Sequence, residues 1–119
     1  MRRRASEEAG AATAELALGI PLLLALTVGL VWMLSLGAAQ VRVIDASREA
    51  ARAVARGDDV AAAEAVALRI APDGAVVRIV SADGQVSVTT SARVEAPGGL
   101  LGALPVVTVS DEAVALVEE

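Results

Sequence analysis

The sequence predicts an α+β protein. A long N-terminal transmembrane helix continues into a solvent-exposed helix, followed by a short helix and a three-stranded antiparallel sheet. Three observations predict it. The run from Leu16 to Val41 carries no charge. Good helix formers continue without Gly or Pro from Val41 to Arg56. After Gly74 the apolar period changes to two, which is the signature of strands.

The uncharged run would rise about 39 Å as a helix at roughly 1.5 Å per residue, more than the roughly 30 Å hydrocarbon core of a bilayer. A water-soluble surface helix would need a polar stripe, and Leu16–Val41 has none. The segment therefore reads as a membrane span. Pro21 lies in its early turns. Proline removes one helical hydrogen bond and commonly bends the helix, although a membrane bundle tolerates it; a bend with a role and a harmless kink are both open. Ala25 and Gly29 are one turn apart, with Gly37 two turns further on. Small residues at this spacing let helices approach closely in lipid, and an Ala- and Gly-rich composition alone would produce the same spacing. Trp32 is either an interfacial anchor or a packing residue.

Before the span stand Arg2, Arg3 and Arg4, then Glu7 and Glu8, then Gly10-Ala11-Ala12-Thr13-Ala14-Glu15-Leu16. Residues 1–10 read as a short, polar, disordered leader. A glycine, four residues and a glutamate opening an apolar helix resemble the processing site of type IV prepilins, and most closely that of TadE-like minor pilins of the Tad (tight adherence) system. The family commonly carries an aromatic residue after the glutamate; Leu16 stands here, which separates the chain from the major Flp pilin more than from TadE-like proteins. The Arg48-Glu49-Ala50-Ala51-Arg52 pattern beyond the span is also common in TadE-like chains.

The resemblance implies a structural pilus-assembly subunit cut by a prepilin peptidase between Gly10 and Ala11. Glu15, fifth in the mature chain, would pair with the N-terminal amine of a neighbouring subunit. A carboxylate at the edge of hydrocarbon usually has a partner, and opposite charges attract more strongly there than in water; a glutamate that merely ends the span is the plainer reading. The implied domains are a cytoplasmic leader (1–10), a transmembrane and extended helix (11–56) and a small extracytoplasmic α+β domain (57–119). The implied partners are the peptidase, other pilin subunits with their assembly machinery, and the lipid bilayer. The location would be the cell membrane, crossed once with the N-terminus inside. Three Arg precede the span and Arg42, Arg48, Arg52 and Arg56 follow it, so the charge rule does not decide orientation. The alternative is a small secreted or anchored domain whose signal peptide is cut after Ala39. The apolar run is long for a signal peptide, and Glu15 beside it is unusual.

In the extended helix, Arg48, Arg52 and Arg56 form an i, i+4 ladder with Asp45 and Glu49 within pairing reach. The ladder is either a docking surface or a solvated face. Gly57 suits the helix stop, and Asp58 or Asp59 the next N-cap. A second helix fits Val60–Ile70, phased by Val60, Glu64 and Leu68 and by Ala63 and Ala67, and Pro72-Asp73-Gly74 ends it. Strands over residues 75–81 and 85–95 flank Asp83-Gly84, a good hairpin turn. Val86, Val88, Thr90, Ala92 and Val94 define one face of the second strand. A loop from Ala96 to Pro105 holds the exposed-looking Leu100-Leu101, and residues 106–117 supply a third strand whose apolar phase blurs around Asp111-Glu112, as a bulge or a strand end would cause.

The 119 residues include no Cys and no His, and one aromatic side chain, Trp32. Disulfides, zinc–thiolate sites and His- or Cys-based catalysis are excluded. The carboxylates are scattered, and Gly98-Gly99 lacks the lysine and helix of a phosphate loop. The chain is accordingly not read as an enzyme, and no cofactor, metal or small-molecule substrate is expected. A net charge of −5 without a basic aromatic surface argues against nucleic acid. With no aromatic residue beyond Gly57, the C-terminal part has a marginal core and is expected to need a partner or the membrane to order well.

Overall fold

The computed structural model describes residues 2–96 and 105–117. The chain divides into two compact units, Met1–Met33 and Leu34–Glu119. Its elements in order are helix α1 (Arg2–Ala55), helix α2 (Val60–Ile70) and strands β1 (Val76–Ala82), β2 (Gln85–Val94) and β3 (Val107–Leu116). The α+β architecture expected from the sequence is the one found.

α1 already includes Arg2 to Gly10, so residues 2–10 are helical and not, as expected, disordered. Its residues explain this. Arg, Ala and Glu are good helix formers, and Gly10 is a single weak position in a helix that continues past it. No residue of the most apolar window of α1 is buried. Thr13 and Thr27 donate their hydroxyls to the carbonyls of Ala9 and Leu23, at 2.9 and 2.8 Å. Each polar side chain is thereby satisfied inside its own helix.

The second unit is built on alanine. Ala39, Val43, Ala46, Ser47, Ala50 and Ala53 recur at helical spacing along α1 and are buried. Ala63 and Ala67 of α2 and Val86 and Val88 of β2 join Ala46 and Ala50 in one cluster. Ala39 and Val43 join Ala92 and Val109 in another. Val60 and Leu68 of α2 point outward, while Ile70 packs against the first cluster. Small side chains at the contact permit close approach between elements, which is why alanines take the inside. The largest fully buried side chain is valine, so the core is thin.

The joints follow local chemistry. Gly57, at φ +100, ends α1. Its N–H donates to Val54 O and that of Asp58 to Ala53 O, both at 3.0 Å, the paired bonds of a Schellman motif. Asp59 takes the N-cap position of α2 but makes no side-chain cap bond, and Asp58 pairs with Arg56 at 3.2 Å. Asp83 and Gly84 both have positive φ, as a type I′ hairpin turn requires.

The sheet has order β1-β2-β3 with both pairs antiparallel. β2 buries Val86, Val88, Thr90 and Ala92 against the helices. Neither a bulge nor a strand end interrupts β3 at Asp111-Glu112, because Thr89↔Glu112 and Thr90↔Asp111 pair in unbroken register. The apolar phase blurs there because Asp111 occupies an inward position whose backbone carbonyl accepts from buried Ser47. The expected Leu100-Leu101 loop falls on residues 97–104, outside the described residues.

Candidate processing and assembly site

Gly10, Ala11 and Glu15 lie on the first unit's part of α1 and are exposed. A Cβ built on Gly10 meets nothing within 4 Å, so the glycine is not required by packing in this chain. Its physical distinction is a locally weaker helix and an unobstructed backbone. Glu15 makes no ion pair among the described residues. It immediately precedes the uncharged run of α1, a helix long and apolar enough to cross a membrane. An unpaired carboxylate so placed is costly in hydrocarbon unless a partner reaches it.

Of the small residues, Ala25 and Gly37 are exposed and Gly29 is half-buried. A Cβ added at Gly29 or Gly37 meets nothing within 4 Å, which leaves room for a neighbouring helix without demanding one. Among the described residues no His, Cys, Asp or Glu cluster has the make-up of a metal site. The clearest depression, about 320 Å³, is an open groove beside Arg52, Arg56, Ala115 and Leu116 with no nucleophile on its walls.

The arginine ladder is exposed, as its spacing suggests, but sparsely paired. Arg52 meets Glu49 at 3.9 Å, while Arg48 and Asp45 make no ion pair among the described residues. A pair this long between partly solvated groups contributes little.

Two polar contacts escaped the sequence reading. The Arg42 guanidinium donates to the carbonyls of Ile70 and Ala71, at 3.0 and 3.2 Å. It thus satisfies the orphan carbonyl end of α2. Ser47, fully buried, has its hydroxyl 2.8 Å from that of Thr90 and donates to Asp111 O at 3.1 Å. A serine on the stripe Ala39-Val43-Ala46-Ala50 was the available signal, since that stripe repeats every three to four residues. Nothing local marks Arg42, whose partners are 28 and 29 residues away.

No curated protein and no solved structure matches the chain. Residues 10–52 match the family model described as TadE-like protein; residues 53–119, with α2 and the sheet, lie outside the match. The matched stretch starts at Gly10 and takes in Glu15, the apolar run and Arg48–Arg52. The match thus falls on the residues that carry the resemblance read from the sequence, and residues 10–52 form a TadE-like segment.

Proposed function

We propose that the chain is a minor pilin or pseudopilin of a Tad-type adhesive pilus, a structural subunit made as a precursor. A prepilin peptidase cuts between Gly10 and Ala11, and the rest of α1 holds the mature protein in the cell membrane. Residues 57–119 would then lie outside the cytoplasm, with the leader inside. Glu15 pairs with the new N-terminal amine of an adjoining subunit, and Ala25, Gly29 and Gly37 offer a face for helix packing. The observation that carries this reading is the TadE-like match beginning at the very glycine that the processing pattern requires. A long apolar helix with most of its large side chains exposed supports the anchoring half, since such a surface is stable only against lipid or other helices.

The signal-peptide reading has less support. A cut after Ala39 would divide α1 where Ala39 is buried and the Gln40 side chain donates to Ser110 O at 3.3 Å.

The test is the intact mass of the membrane-bound protein from cells with and without the prepilin peptidase. A product starting at Ala11, only when the peptidase is present, is the expected result. One starting at Gln40, or one retaining Met1 in peptidase-positive cells, overturns the proposal. Gly10→Val should block cleavage, and because an added Cβ meets nothing, the block would report recognition and not misfolding. Glu15→Ala should be cleaved normally and assemble poorly.

A further inference from the structure

The outer face of the sheet remains unused by the fold and by the proposed function. Among the described residues nothing covers it: Val76, Val80, Val114 and Leu116 are 63%, 51%, 59% and 72% exposed. Its charges are ordered. In one register row, Arg78 on β1, Thr89 on β2 and Glu112 on β3 stand side by side. Arg78 makes no ion pair among the described residues. Glu112 accepts a hydrogen bond from Ser87 at 2.6 Å on one oxygen, leaving the other for a second donor.

We propose that this face docks on the same face of a second copy of the chain, about a two-fold axis parallel to β2. That operation carries β1 of one copy over β3 of the other and keeps each register row opposite itself. Arg78 then meets Glu112 of the other copy twice over. Val80 faces Val114, and Ala82 faces Leu116. An in-plane axis perpendicular to the strands through the same row would set Arg78 against Arg78 and Glu112 against Glu112, so electrostatics selects the first arrangement. A lipid surface or nucleic acid would call for basic residues alone, and Glu112 sits at one side of the patch. One like-charge contact results: Arg93, on β2 near the open end, opposes its own copy. Long exposed side chains there are screened by solvent.

Size bounds the strength. Three strands about 4.8 Å apart and seven paired residues of about 3.4 Å give a patch of roughly 350 Å² per copy. A stable free-solution complex buries about 800 Å² per partner. The contact therefore requires both copies to be tethered in one membrane, where effective concentration replaces area. The inference rests on the membrane-anchoring half of the proposed function and goes beyond it, since it concerns the sheet and not the processed helix.

The test uses the full chain, which has no cysteine, in liposomes. Thr89→Cys lies beside the axis, so two copies present thiols across a sheet-to-sheet gap of about 10 Å. A bismaleimide of that reach should give a covalent dimer, and Ala62→Cys on the exposed side of α2 should not. Adding Arg78→Glu or Glu112→Arg should lower the dimer about ten-fold, as like charges then face each other. Combining the two should restore it, and Arg93→Ala should raise it. Dilution into excess detergent should abolish it. The proposal is overturned by equal crosslinking from both cysteines, by an adduct to a different protein, by no dimer at all, or by a charge swap that fails to rescue. None of these outcomes depends on cleavage at Gly10, so the two proposals fail separately.

Discussion

Ser47 is the most informative single substitution in the second unit. It is fully buried, and so is Thr90, whose hydroxyl it meets at 2.8 Å. The arrangement that satisfies both groups has Thr90 donating to Ser47 and Ser47 donating to Asp111 O. Ser47→Ala removes one atom, leaves no sizeable cavity and orphans the buried Thr90 hydroxyl. An unsatisfied buried polar group costs about 1–3 kcal/mol. A cost of about 2 kcal/mol raises the population of the open state about 30-fold, and β2 amide exchange in detergent micelles should accelerate by that factor. Thr90→Val should cost less, because Ser47 keeps its carbonyl acceptor. The decisive variant is the double one. Ser47→Ala with Thr90→Val carries no orphaned hydroxyl and should be more stable than Ser47→Ala alone. Unchanged exchange in Ser47→Ala, or full additivity in the double variant, would refute the reasoning.

The remaining predictions concern joints and boundaries. Gly57→Val should destabilise the second unit by about 1–2 kcal/mol, read by the same exchange measurement, through its φ of +100 alone, since an added Cβ meets nothing. Gly57→Asn should recover much of that loss, because Asn tolerates the left-handed region. Arg42→Met keeps the aliphatic stem but removes both bonds to the end of α2. It should speed amide exchange in the last turn of α2 before it affects β2, and uniform acceleration would show that Arg42 is not a local cap. A fragment starting at Gly57 should lack a cooperative melt and dispersed NMR signals, because it loses Val43, Ala46, Ser47 and Ala50 from the core. A cooperative transition in that fragment would contradict this.

Much of the fold was legible because it rests on local rules. The uncharged run, Gly57, the Asp83-Gly84 turn and the alternation of β2 each act through backbone preference or side-chain period. α2 spans Val60–Ile70 as its pattern suggested, and the strand ends differ from expectation by a residue, where fraying blurs any boundary. The TadE-like resemblance was legible for the same reason. Gly10, four residues and Glu15 form a linear pattern, and the family match begins on it.

What stayed hidden depends on contacts between distant residues. The Asp111-Glu112 irregularity looked like a bulge or a strand end, because alternation alone cannot distinguish either from an inward polar residue. Only the meeting of Ser47 with Thr90 and Asp111 shows that the position is polar and unbulged. Arg42 appears as one more basic residue after the span until α2 folds back to place its last carbonyls within reach.

By itself, then, the sequence determined the elements, their order and the membrane-length helix, because hydropathy, period and turn chemistry are written residue by residue. The tertiary structure decided which face of α1 becomes core, that alanine and not leucine fills it, and that Arg78 and Glu112 share one row of an uncovered face. Those outcomes depend on how closely helices and sheet can approach, a property of pairs of surfaces that no single stretch of sequence carries.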